Sequence, residues 1–69
     1  MSASKWEYLV LVSQLSGDRV RPRFVNGKQL ENWDEGPGLP EYLNQLGDEG
    51  WELASAATGS VLYFKRPKS

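Results

Sequence analysis

The chain has 69 residues, with eight basic and nine acidic side chains, three Trp, three Tyr, two Phe and no Cys or His. This length predicts one small domain, which buries only about 60% of the surface that its unfolded chain exposes. The missing residue types exclude disulfides, thiolate or imidazole metal sites and catalysis by histidine. The net charge of −1 gives no overall attraction to nucleic acid or to an anionic membrane.

A signal peptide or a membrane-spanning segment in the sequence would indicate where the protein is located. Residues 1–8 lack the basic segment and the following apolar segment of a signal peptide. The longest apolar run, residues 8–12, is far too short to span a bilayer. We therefore expect a soluble cytoplasmic protein without membrane contact.

Residues 5–15 are rich in aromatic and β-branched types and are predicted to form the first strand. One face of this strand would carry Trp6, Tyr8, Val10 and Val12, and the other Leu9, Leu11 and Leu15. Apolar side chains on both faces indicate a central strand that is covered on both sides.

The turn signal Ser16-Gly17-Asp18 separates this strand from a second one. Pro22 cannot donate a hydrogen bond to a neighbouring strand, which favours an edge strand or a bulge. In the second strand Val20, Pro22 and Phe24 alternate with Arg19, Arg21 and Arg23. The three arginines are predicted to share a solvent-facing side, about 6.5 Å apart.

Asn26-Gly27 is a strong hairpin signal, because both turn positions tolerate positive φ. We expect it to fold residues 28–30 back onto residues 23–25 as a short ribbon. Residues 31–38 read as an acidic loop that contains Trp33. Exposed aromatic residues favour interfaces, so Trp33 is predicted to be an exposed contact residue.

A helix is predicted over residues 39–49. Pro40 suits the first turn, where its missing N–H would have no partner. Leu39, Leu43 and Leu46 form an apolar stripe of helical period, which Tyr42 widens.

The end of this helix contains two glycines, followed by Trp51. Gly50 is predicted to be the left-handed residue that follows the helix. Gly47 falls on the apolar stripe, which predicts a close approach of helix to sheet; a competing interpretation ends the helix at Gly47. Trp51 is expected to wedge between helix and sheet. Gly47, Gly50 and Trp51 are thus predicted to be a structural joint rather than a site.

Residues 51–57 and 61–66 are predicted to be the last two strands, joined by a turn at Thr58-Gly59-Ser60. One face of the first of them would carry Trp51, Leu53, Ser55 and Ala57. The predicted fold class is α+β, with a four-stranded antiparallel sheet and one helix on one face, in the order β-β-α-β-β.

Three motifs resemble a family of short bacterial proteins of unknown function. They are the W-E-Y start at residues 6–8, the L-N-x-L-G-x-E-G-W-E-L centre at residues 43–53, and a Y-x-F-K-R-P end, here Y-F-K-R-P at residues 63–67. The resemblance covers nearly the whole chain. It implies a shared fold and no catalytic activity.

No motif points to an enzyme or a cofactor. The loop Gly36-Pro37-Gly38 lacks the spacing of a phosphate-binding loop and is expected to be a connection. Two adjacent acidic pairs, Asp34 with Glu35 and Asp48 with Glu49, are expected to be solvated surface rather than acid–base or metal sites.

One short helix cannot cover both faces of a sheet. We therefore expect either the loop that carries Trp33 or a second copy of the chain to cover the other face, which predicts a homodimer. The function most consistent with these features is a non-enzymatic protein-interaction module. The alternatives are single-stranded nucleic-acid binding, through Arg19, Arg21, Arg23 and strand aromatics, and a small-ligand pocket between helix and sheet.

Overall fold

A computed structural model describes residues 5–57 and 60–68 of the chain. In chain order the elements are β1 (Trp6–Ser16), β2 (Arg19–Val25), β3 (Lys28–Gln29), a short 3₁₀ helix (Trp33–Glu35), α1 (Leu39–Asp48), β4 (Glu52–Ala56) and β5 (Val61–Pro67). The strands form one sheet in the spatial order β3-β2-β1-β5-β4, and each neighbouring pair is antiparallel. The predicted α+β class, with one helix and an antiparallel sheet, is confirmed for these residues.

The predicted four strands and the order β-β-α-β-β were wrong, because the described residues contain five strands in the order β-β-β-α-β-β. The added strand is the ribbon that follows Asn26-Gly27. Both turn residues have positive φ, 53° and 83°, which suits the right-handed twist of the flanking strands. The Asn26 side chain accepts a hydrogen bond from the Val10 N–H at 2.9 Å and so ties the turn to β1.

β1 lies at the centre of the sheet, as predicted, but it is covered on one side only. Leu9, Leu11 and Ser13 are buried on the side where α1 packs, which we call the inner face. Tyr8, on the opposite side, is 64% exposed. Within one copy of the chain, the side of β1 opposite α1 is therefore not covered, and its coverage by a second copy stays a prediction. Leu15, expected on the apolar side, is 63% exposed near the β1–β2 turn.

The helix packs on the inner face through its predicted stripe. Leu46 is buried in a cluster with Leu9, Leu11 and Phe64. Around this cluster the partly buried apolar side chains are Val25, Leu39, Tyr42, Leu43, Trp51 and Leu62. Burial raises the pKa of the Tyr42 hydroxyl above its ordinary value, and the charge of Glu49 acts in the same direction.

α1 ends in a hydrogen-bonded turn of the Schellman type. The Trp51 N–H donates to the Leu46 carbonyl and the Gly50 N–H donates to the Gly47 carbonyl, both at 3.0 Å. Gly50 has a φ of 92°, the left-handed conformation that was predicted for it. The helix itself ends at Asp48 with Glu49 as its C-cap, one residue earlier than predicted.

Gly47 lies inside α1, yet it does not approach the sheet. Its surface is exposed, and a Cβ atom added to it would meet nothing within 4 Å. The prediction of a close helix–sheet contact at Gly47 was therefore wrong. The apolar stripe turns away from this residue in the last turn, where Leu46 carries the packing.

Two bulges interrupt the strands. In β2, Phe24 pairs with Val12 and Pro22 with Ser13, so that Arg23 is the extra residue. Pro22 therefore lies beside a bulge, one of the two settings that its chemistry predicted.

In β4 the register shifts between Leu53 and Ser55. The predicted common face of Leu53 and Ser55 was wrong, because the bulge places Leu53 beside Phe64 and Ser55 beside Tyr63. The predicted turn at Thr58 and Gly59 lies outside the described residues. Among the residues that are described, neither α1 nor the 3₁₀ helix has the length to cross a membrane.

Candidate interaction surface on the open sheet face

The side of the sheet opposite α1 is the candidate site, and we call it the outer face. It is built from alternate residues of β1 and their partners on the neighbouring strands, because directly paired residues of an antiparallel sheet point to the same side. Its members include Trp6, Tyr8, Val10, Val12, Phe24, Val61, Tyr63, Lys65 and Pro67. Glu52 joins them at the edge, opposite Lys65.

Large apolar side chains remain open to solvent on this face. Tyr8 is 64% exposed, Trp6 40% and Tyr63 39%. All three come from the two adjacent strands β1 and β5. Tyr8 and Tyr63 lie within the sheet, and Trp6 lies at its end, opposite Pro67. A contiguous apolar surface rimmed by polar groups is typical of an interaction site.

Cations stack on aromatic rings at two places on this surface. The Lys65 ammonium lies 4.6 Å from the ring centre of Trp6 and 3.8 Å from the Glu52 carboxylate. The Arg23 guanidinium lies 5.1 Å from the ring centre of Phe24 and 4.8 Å from that of Trp33. Such cation–π contacts contribute about 0.5–1 kcal/mol at exposed sites and hold the rings in fixed positions.

The three arginines predicted as a binding row are each engaged within the chain. Arg19 forms an exposed ion pair with Glu41 at 3.4 Å. Arg21 donates to the backbone carbonyls of Gly36 and Ser16. These contacts connect β2 to the segment that leads into α1.

Arg23 makes different contacts from the other two arginines. It donates to Gln14 at 2.6 Å and to Gln29 at 3.3 Å. The predicted regular alternation of Arg19, Arg21 and Arg23 was wrong, because the bulge makes Arg23 an extra residue of β2. Their role as a binding surface stays a prediction.

Trp33 is half-buried rather than a free contact residue. Its ring stacks on Arg23 beside β2, and it begins the 3₁₀ helix. The loop that carries Trp33 therefore packs at the β2 side of the sheet and leaves Tyr8 and Tyr63 exposed. We expected either this loop or a second copy of the chain to cover the outer face. The loop does not cover it.

Arg66 is a structural residue that the sequence did not single out. Its Nε donates to the Glu7 carboxylate at 3.1 Å, and its Nη1 donates to the Glu49 carbonyl at 2.7 Å. The guanidinium also lies 4.3 Å from the ring centre of Trp51. Arg66 thus links β1, the end of α1 and β5, and it places a positive charge at the negative end of the helix dipole.

The predicted joint of Gly50 and Trp51 therefore includes Arg66, while Gly47 contributes only its carbonyl. No local sequence signal identified Arg66, because its contacts depend on which strands pair. Antiparallel pairing of the first and last strands places Arg66 opposite Glu7, next to the helix end.

Within residues 5–57 and 60–68, the acidic residues form no group of three that could hold a metal ion, and no pocket opens between helix and sheet. Comparison with protein-family models, curated proteins and solved structures finds no match. The resemblance of the three motifs to a short bacterial family stays a prediction.

Proposed function

We propose that the protein is a non-enzymatic, cytoplasmic protein-interaction module that self-associates through the outer face of its sheet. The observation that carries the proposal is the exposure of Tyr8, Trp6 and Tyr63 on the two adjacent strands β1 and β5. Aromatic residues at the centre of a flat surface are the side chains that most often supply binding energy when they are buried.

The small core gives a second reason for association. Among the described residues, only four hydrophobic side chains are buried. A domain of this size gains little net stability from its own core. Packing the outer face against another layer would add apolar burial at about 25 cal/mol per Å².

A second copy is the partner that fits the required area. A stable interface takes about 800 Å² from each partner. That is roughly a sixth of the 4978 Å² surface of the chain, which one face of a five-stranded sheet can supply. Two sheets of this kind pack face to face with their strands nearly aligned, and a two-fold axis relates identical faces.

Unfolding at several protein concentrations tests self-association directly, because the stability of an oligomer depends on the concentration of its protomers. We expect the urea midpoint of the wild type to rise between 1 and 100 µM protein. The double variant Tyr8→Glu/Tyr63→Glu should show a clearly smaller dependence, because it loses the contact through the outer face. The control Leu15→Glu, at an exposed apolar residue outside the outer face, should keep it. A wild-type midpoint that does not change with concentration would contradict the proposal.

Single-stranded nucleic-acid binding is the second candidate, and one observation favours it. The described strands contain two carboxylates, and only that of Glu52 lies on the outer face. On the same face, Lys65 and Arg23 stack on aromatic rings. Rings and cations on an open sheet form a stacking platform for bases.

Fluorescence anisotropy with labelled oligo-dT tests this second candidate. It requires binding that weakens steeply as the salt concentration rises. It also requires loss of affinity in Lys65→Gln/Arg23→Gln, with no loss in the control Arg19→Gln. Absence of binding at 20 mM salt would eliminate it.

A further inference from the structure

The two edges of the sheet differ in how they are protected. At one edge β3 has only two residues, and the part of β2 that β3 does not pair with carries Pro22 and the bulge at Arg23. Arg21 and Arg23 also contact Gly36 and Trp33, so this edge is occupied by the chain itself. These are features that natural sheets use to prevent a further strand from pairing.

At the other edge β4 is open. All five residues of β4 are exposed, and its sequence E-L-A-S-A contains neither Pro nor Lys. Its bulge at Ala54 leaves Ser55 and Ala56 in regular register with Tyr63 and Leu62. An edge strand without covering elements presents its outward N–H and C=O groups to a further strand.

The direction of one outward amide follows from the ladder. The Ala57 N–H donates to the Val61 carbonyl at 3.1 Å, which turns Ala57 toward β5. Successive residues of an antiparallel strand alternate in the direction of their backbone groups. The N–H of Ala56 therefore points away from β5, toward the open edge.

We infer that β4 pairs antiparallel with β4 of a second copy, as a contact separate from the outer face. Glu52, at one end of β4, is the only charged residue of the strand. A two-fold axis between Ala54 and Ser55 places Leu53 beside Ala56 of the other copy, both on the inner face, and sets the two Glu52 side chains at opposite ends of the pair. Parallel pairing would set the two carboxylates side by side, which is destabilising.

The inner face also gains from this pairing. Leu53 lies beside Phe64 at the border of the core, yet it is 55% exposed. An added strand extends the inner face past β4 and covers this side chain. Small side chains at Ala54, Ser55 and Ala56 let the two backbones approach. The contact lies in the plane of the sheet, so it is compatible with a second copy packed on the outer face.

Cysteine cross-linking tests the pairing without a change of fold, because the chain contains no cysteine of its own. Single variants Ala54→Cys, Ser55→Cys and Ala56→Cys place one thiol at successive positions of β4. Paired strands bring Cα atoms within about 4.5–5.5 Å, a range in which disulfides form. The control Gln29→Cys places an exposed thiol on the opposite edge strand.

Under mild oxidation, we expect at least one β4 variant to form covalent dimer at least ten times faster than Gln29→Cys. Equal rates at all four positions would overturn the inference.

Sedimentation equilibrium gives an independent answer in the background Tyr8→Glu/Tyr63→Glu, which removes the outer-face contact. In this background Ala56→Thr keeps the outward N–H and should leave a dimer of twice 7.8 kDa. Ala56→Pro removes that N–H and should give the 7.8 kDa monomer. A monomer with Ala56→Thr would overturn the edge contact, whatever the outcome for the outer face. A dimer that persists with Ala56→Pro would also overturn it.

Discussion

Removal of the Arg66 guanidinium should destabilise the protein strongly, and more than removal of the Arg19 guanidinium. Arg66→Met keeps most of the aliphatic length and removes three interactions. These are the hydrogen bond to the Glu49 carbonyl, the ion pair with Glu7 and the contact with the Trp51 ring. Together they connect β5 to β1 and to the turn that follows α1.

The magnitude can be worked from these contacts. A hydrogen bond from a charged group contributes about 1.5–3 kcal/mol. A cation–π contact contributes about 0.5–1 kcal/mol at exposed sites, and an ion pair near the surface about 0.2–1 kcal/mol. The side chains of Arg66 and Glu7 are 32% and 36% exposed, so solvent weakens the electrostatic contributions. One guanidinium makes all three contacts, so they do not add fully. We expect a loss of about 2 kcal/mol.

Urea unfolding followed by tryptophan fluorescence at one fixed protein concentration measures this loss. In thermal unfolding, the same loss of about 2 kcal/mol lowers the melting temperature of a domain this small by roughly 8–16 °C. Arg66→Lys keeps the charge but loses the planar fork, so its stability should lie between wild type and Arg66→Met.

Arg19→Met is the matched control for Arg66→Met. The side chains of Arg19 and Glu41 are 51% and 57% exposed, so loss of their ion pair should lower the free energy of unfolding by at most about 0.5 kcal/mol. Equal stabilities of Arg66→Met and Arg19→Met would refute the assignment of Arg66 as the link between helix and sheet.

Three further predictions concern the core, the helix end and pH. Leu11 is fully buried, so Leu11→Ala should lower the free energy of unfolding by about 2–5 kcal/mol. Leu15→Ala, at a residue that is 63% exposed, should change it by less than about 0.5 kcal/mol, and similar losses for the two in urea titrations would contradict the core assignment. Gly47→Ala should stabilise by about 0.5–1 kcal/mol because the added methyl meets open space in a helix. Gly50→Ala should destabilise by about 1 kcal/mol because the φ of Gly50 is 92°, and equal signs for the two glycine variants would refute this account. The raised pKa of Tyr42 stabilises the folded state at pH values below the ordinary tyrosine value of 10.0, and this contribution is lost as the pH rises through the folded pKa. Tyr42→Phe should therefore lose less stability than wild type between pH 9 and 11, and parallel losses in the two proteins would contradict it.

The elements that follow from local chemistry were predictable from the sequence. The Asn26-Gly27 turn, the stripe of α1 and the left-handed Gly50 each depend on neighbouring residues alone. The central position of β1 followed from its apolar residues on both faces. What that pattern did not reveal is that the loop with Trp33 leaves the outer face uncovered within one copy of the chain.

The errors arise where tertiary pairing overrides the local pattern. A strict alternation along β2 predicted one row of arginines, but the bulge at Arg23 breaks that alternation. The bulge depends on the register with β1, which local sequence does not contain. The same holds for Arg66, whose contacts come from β1 and from the turn after α1, both distant from it in the chain. The predicted contact of Gly47 with the sheet was wrong because the apolar stripe does not indicate which of its residues touch the sheet.

Sedimentation equilibrium of the wild type, Tyr8→Glu/Tyr63→Glu and Leu15→Glu at 50 µM tests the central claim most directly. We predict that the wild type and Leu15→Glu have the same mass, at least twice 7.8 kDa. The outer-face double variant should fall to half of the wild-type value or less. A wild-type protein that sediments as a single 7.8 kDa species would contradict the claim that the outer face binds a second copy.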